Sequence, residues 1–129
     1  MTTEFLGIGW QFPVQLDDKG QIALAEHEES VRQAIWMILS TAPGERVMRP
    51  DFGCGIHDLV FAPNSPGTAG QVIGEVRQAL VRWEPRIDVL DVDAPPDPAQ
   101  PNRLLIVIKY QVRTTHNEFN LVYPFYLES

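Results

Sequence analysis

LLIVIKYQVR, residues 104–113, alternates in the way expected of a strand with one buried face. Leu104, Ile106, Ile108, Tyr110 and Val112 share that face; the other begins apolar at Leu105 and Val107 and ends in Lys109, Gln111 and Arg113. Downstream, Thr115-His116-Asn117-Glu118 supplies a turn, after which Phe119, Leu121, Tyr123, Phe125 and Leu127 repeat the period of two. Pro124 has no N–H to give to a ladder, which predicts an edge position for this last strand. Upstream, Ile87, Val89 and Leu90 open a strand that fades in Asp91-Val92-Asp93, and a stiff proline-rich connector over 95–101 leads from it into 104–113. Together these segments predict a three-stranded antiparallel meander.

Ahead of the meander the period is helical. Thr68 with Gln71 three residues on fits a capping box, and Val72, Ile73, Val76, Ala79, Leu80 and Trp83 form one apolar stripe. Pro85 disfavours helical geometry at Glu84, so the helix should end there. A first helix over 26–42 carries Val31, Ala34, Ile35, Ile38, Leu39 and Ala42 on its core face, with Trp36 and Met37 widening it, and Pro43-Gly44 stops it. Before it, Phe5, Leu6, Ile8, Trp10, Phe12 and Val14 read as an extended arm, and Asp18-Lys19-Gly20 ahead of Ile22 and Leu24 reads as a small hairpin. The fold class is α+β: two main helices packed on a C-terminal three-stranded antiparallel meander, with an N-terminal arm and small hairpin. We divide a single domain, 1–129, into arm and hairpin (1–25), helical part (26–84) and meander (86–128).

Composition narrows the function. A chain of 129 residues with 44% hydrophobic residues can bury about two-thirds of its unfolded surface around one core. No apolar run approaches the roughly 20 residues of a membrane-spanning helix. The start, MTTEFLGIGWQFP, has no basic region ahead of its apolar patch, so synthesis and folding in the cytoplasm are expected. A net charge of -7 argues against binding nucleic acid, and the single cysteine, Cys54, excludes an internal disulfide. Protein partners fit this balance best.

Between the helices lies GERVMRPDFGCGIHDLVF, residues 44–61, too irregular for helix or strand. Gly44, Gly53 and Gly55 permit backbone angles closed to other residues, and Pro50 pushes Arg49 toward an extended conformation. Phe52, Ile56, Leu59, Val60 and Phe61 are expected to pin the loop to the core. Arg46 and Arg49 are read either as helix caps and carboxylate partners or as anchors at a protein interface. Cys54 and His57 have a C-x-x-H spacing, yet zinc needs three or four ligands, and neither a further ligand pair nor a third group to orient a nucleophile accompanies them. Cofactors are therefore expected to be none. At Glu84-Pro85-Arg86 a carboxylate stands against the negative end of a helix dipole, which calls for a compensating cation, either Arg86 itself or one from elsewhere in the fold or from a partner.

FLGIGWQFP near the start, GERVMRPDFGCGIHDLVF after the first helix and EPRI after the second together resemble the baseplate-wedge and sheath-initiator family of contractile tails. That family spans phages, type VI secretion systems and extracellular injection particles, and the motifs leave open which machine is the parent. The resemblance implies a non-enzymatic assembly protein, present in six copies per baseplate and incorporated into a tail-like particle. Larger baseplate wedge proteins, sheath subunits and tube or spike-hub proteins are the implied partners. It implies wedge docking through Glu84, Pro85 and Arg86, and we read Arg46 and Arg49 as lying near the same surface. Pro50, Phe52, Gly53 and Gly55 are read as the motif loop; the resemblance implies that the sheet accepts a sheath strand without naming the edge, and we expect Leu121, Val122, Tyr123, Pro124, Phe125 and Tyr126 of the last strand to do so. Some members carry a lysozyme label, which makes a peptidoglycan hydrolase one alternative; a stand-alone protein-binding adaptor is the other.

Overall fold

The computed structural model of the chain describes residues 18–44 and 51–128. The arm over 1–17 and the segment with Arg46, Arg49 and Pro50 lie outside those residues. Two helices, α1 (Asp18–Ser40) and α2 (Pro66–Trp83), are joined through a 3-10 turn at Gly55–Leu59 and followed by strands β1 (Ile87–Asp93), β2 (Arg103–Val112) and β3 (Glu118–Tyr126). The sheet is antiparallel in the order β1-β2-β3, the expected meander on two helices.

The core is built by the two periodicities. Val31, Ile35, Ile38 and Leu39 of α1 and Val72, Val76, Ala79 and Leu80 of α2 are buried against Leu104, Ile106, Ile108, Tyr110 and Val112 of β2 and against Leu121, Phe125 and Leu127 from β3 and its end. Alternation along β2 and β3 leaves the opposite sheet face half wet, with Val122 and Tyr126 exposed. Glu28 fixes α1 to the β2–β3 turn by accepting hydrogen bonds from the Thr115 hydroxyl (2.6 Å) and from Asn117 Nδ2 (2.8 Å).

Four local expectations are corrected. Asp18-Lys19-Gly20, Ile22 and Leu24 form no hairpin; they are the start of α1. The run QIALA over 21–25 consists mostly of strong helix formers and extends the helix begun by the later apolar stripe, because propagation adds a hydrogen bond per residue once a helix is nucleated. Helix α2 is capped by Ser65, whose Oγ accepts from Thr68 N–H at 3.3 Å, so Thr68 is a buried residue inside the first turn and no cap. Serine ahead of Pro66 is the better start, since proline's missing N–H costs nothing in the first turn. Phe61 is 72% exposed and pins nothing, and Met37, 49% exposed, adds little to the core face of α1, whereas Trp36 does widen it by packing on Tyr123.

Each edge of the sheet has its own character. On β1 the register slips between Val89 and Asp91, a bulge that accommodates Leu90, and Asp88, Asp91 and Asp93 are exposed along it. The ladder between β2 and β3 has no slip. Val112 N–H donates to Asn117 O (2.9 Å) at one end and Leu127 N–H to Asn102 O (2.7 Å) at the other. That parity turns the backbone groups of Phe119, Leu121, Tyr123 and Phe125 toward β2 and those of Asn120, Val122, Pro124 and Tyr126 away from the sheet. Proline therefore occupies an outward-facing position, where its missing N–H breaks no bond inside the sheet.

Candidate functional site

The loop after α1 is held by close approach. Gly53 is buried with φ +133, and a side chain there would collide with Thr41 O at the end of α1. Glycine alone meets both demands. The next residue turns the approach into a hydrogen bond, Cys54 N–H donating to Thr41 O at 2.9 Å. The Cys54 thiol points the other way and donates to Glu75 O of α2 at 3.6 Å. His57 donates from Nε2 to Leu39 O at 2.8 Å and meets Phe125 edge-on, centroids 6.5 Å apart. The C-x-x-H pair thus serves as a bracket between α1, α2 and β3. Among the described residues no three His, Cys, Asp or Glu side chains come together as a metal site.

The loop's first described residues reach the C-terminal end of α2. Phe52 packs edge-on against Trp83 at 5.1 Å, and Asp51 accepts from Arg82 Nη2 at 2.5 Å. Neither pairing was visible in the sequence, because Asp51 and Arg82 are far apart along the chain.

Next to this contact stands the tripeptide Glu84-Pro85-Arg86. Glu84 closes α2, its N–H donating to Leu80 O, and its carboxylate is only 3% exposed. Arg86 supplies the compensating cation: Nε and Nη2 each donate at 2.8 Å to the two carboxylate oxygens, and the Arg86 N–H adds a third bond at 3.2 Å. The carboxylate holds the guanidinium charged by raising its pKa further. Pro85 is exposed and the Arg86 side chain keeps 38% of its surface, so the motif leaves its proline and the outer part of its guanidinium exposed, with Glu84 hidden behind them.

Comparison with known proteins assigns the lineage. Residues 25–117 match the family model described as baseplate wedge protein gp25. The chain belongs to that family. It is 36% identical over 67 residues to the gp25 baseplate wedge protein of Enterobacteria phage T4. The match covers 52% of this chain and 51% of that protein, so the chain spans about half the length of the curated relative. A protein of Geobacter sulfurreducens described as a tail lysozyme shares 51% identity and superposes with a TM-score of 0.74 over 90% of this chain and 97% of that one. A chain of the anti-feeding prophage baseplate shares 27% identity with a TM-score of 0.63 over 84% and 87%. Within the gp25 family's matched span fall both helices apart from the start of α1, the motif loop, Glu84-Pro85-Arg86, and the sheet as far as the β2–β3 turn.

Two outcomes are expected of the loop. Replacing Gly53 with alanine should cost about 2–4 kcal/mol, from a strained φ together with a backbone collision, read as a lower midpoint in urea denaturation. Burial pushes the Cys54 thiol up to about 11 from 9.0. A group whose neutral form is favoured in the fold keeps its contribution below the unfolded pKa and loses it as pH rises, so stability should fall between about pH 9 and 11. The same denaturation in a Cys54→Ala variant should show a shallower alkaline decline.

Proposed function

We propose that the protein is a structural, non-enzymatic baseplate component of a contractile injection machine, docking on larger wedge proteins and accepting a sheath strand on β3. The observation that carries the reading is the presence of two separate surfaces on a chain of the gp25 family: a preformed arginine at the end of α2 and, on β3, a strand edge unpaired among the described residues.

At the wedge-facing surface, Arg86 is the contact and Glu84 the residue that aims it. Two of the guanidinium nitrogens are committed to Glu84, which fixes the plane of the group and leaves Nη1 without a partner among the described residues. A preoriented, partly exposed arginine loses little side-chain entropy on binding, which suits it as an anchor. Pro85 adds a rigid apolar neighbour. Arg46 and Arg49 join this surface in the proposal because Asp51, just beyond them in the chain, is tied to Arg82 beside the motif.

At the opposite task, β3 offers Asn120 and Val122 as outward donors and acceptors, the arrangement that β-augmentation uses. The relation between the two surfaces allows them to be tested separately. Arg86→Lys keeps a cation beside the buried Glu84 but loses the paired bonds, so the domain should remain folded by circular dichroism while its recovery in purified baseplates drops at least tenfold. Val122→Pro removes an outward N–H only, so the inner ladder survives; wedge assembly should proceed and sheathed particles should disappear from electron micrographs. Normal sheaths with Val122→Pro, or normal baseplate recovery with Arg86→Lys, would defeat the corresponding half.

The lysozyme description of the Geobacter sulfurreducens relative raises peptidoglycan hydrolysis as the competing reading. Glu84, Asp97 and Asp88 are each engaged by an arginine, Arg86, Arg103 and Arg113 respectively, which suits structural pairs better than an acid held ready to give its proton. Purified protein incubated with cell-wall material should release no soluble glycan, and release would favour the hydrolase.

A further inference from the structure

Among the described residues no strand pairs with the outer edge of β3, and α1 meets that strand at Tyr123. Glu28 of the helix meets the turn at Thr115 and Asn117, and one helical stretch later Trp36 and Ser40 meet Tyr123, so helix and strand run side by side. Trp36 packs edge-on against Tyr123 with ring centroids 4.6 Å apart, and Ser40 Oγ shares a hydrogen bond with the Tyr123 hydroxyl at 3.2 Å. Trp36 remains 39% exposed, and with Arg32 and Gln33 it lines a recess of about 260 Å³.

What an added strand would turn toward Trp36 follows from the sheet geometry. Side chains alternate, so residues of an added strand opposite Asn120 and Val122 would lie on the outer sheet face beside exposed Val122. The residue opposite Tyr123 would point to the helix side, onto Trp36. Toward the other end the flank of α1 turns acidic. Glu26 and Glu29 line the adjoining depression with Ile22 and Ala25, and Glu118 stands at the corresponding end of β3. Against these three carboxylates stand Arg32, bound to Glu29, and Lys109, 3.8 Å from Glu118.

We propose that the surface of α1 beside the edge of β3 selects its strand by an apolar side chain seated on Trp36 and a Lys or Arg at the Glu26/Glu29 end, with Pro124 limiting the register. This rests on the strand-acceptor reading and adds the chemistry of the strand. The outward N–H groups of Asn120 and Val122 can bind it, whereas at Pro124 only the carbonyl can, so a strand slipped by two residues toward Tyr126 forfeits a hydrogen bond. A slip by one residue would instead turn the apolar side chain away from Trp36. Hydrogen bonding and side-chain seating therefore favour the same register.

The test measures binding of the sheath subunit to baseplates assembled with the full chain. Trp36→Ala should weaken it at least tenfold and Trp36→Phe should restore most of the loss, with thermal melting of both variants followed in parallel. Glu29→Lys, a surface change at the other end, should weaken it several-fold without lowering the melting temperature by more than about 2 °C. Wild-type binding by both Trp36→Ala and Glu29→Lys while Val122→Pro abolishes it would overturn the selective α1 surface and leave the strand acceptor standing. Undiminished binding by Val122→Pro would overturn both. Sedimentation of the isolated chain as a dimer that Val122→Pro dissociates would assign the edge to a second copy and likewise overturn the proposal.

Discussion

Thr41 O at the end of α1 receives the Cys54 N–H, and the chain can deliver that bond only by passing so close that residue 53 has no room for a side chain. Much else depends on this crossing. It directs the Cys54 thiol to α2 and the His57 ring to Leu39 O, and it places Phe52 on Trp83 at the end of α2. Helix packing alone would tolerate some sliding of α1 on α2, since ridges and grooves set angles with wide scatter. A backbone hydrogen bond through a glycine has no such tolerance. The irregular segment between the helices is thus what gives their relative position a single value.

The same rigidity reaches the tripeptide after α2. A carboxylate at a helix C-terminus is unfavourable, and burying it adds a desolvation cost, so Glu84 is tenable only with a committed cation. Arg86 meets that need within two residues and is itself immobilised by doing so. The motif is best regarded as one rigid group, a buried carboxylate and an outward cation joined through a proline, aimed by a helix whose placement the Gly53 crossing fixes.

What the sequence showed and what it concealed follow physical lines. The buried face of β2 and the stripe of α2 were legible because burial imposes a period that survives in the residue string. The start of α1 was not, because Asp-Lys-Gly has the composition of a turn and helix propagation overrode it. Ser65 and Thr68 are both of a residue type that caps helices, and only the placement of Pro66 separates them. At Glu84, the need for a cation was readable but its source was not: Arg86 was one of several candidates until its two nitrogens were found on the carboxylate. Trp36 on Tyr123 joins residues remote in the chain, and the outward turn of Val122 depends on a strand register that no residue encodes by itself. Surface geometry of this kind is the least readable part of a sequence.

The two edges of the sheet are unequal, and the inequality bears on how an assembly begins. The bulge at Val89/Asp91 and the aspartates beside it make β1 a poor template, while β3 offers a short straight run ending at Pro124. Such a sheet has one valence. In the proposed reading it receives a strand on one side but is ill suited to passing the pairing on through the other, so copies of the chain would not propagate a ribbon among themselves. A unit that accepts once and then stops would be the chemical counterpart of an initiator, giving growth a starting point and a direction without becoming part of what grows.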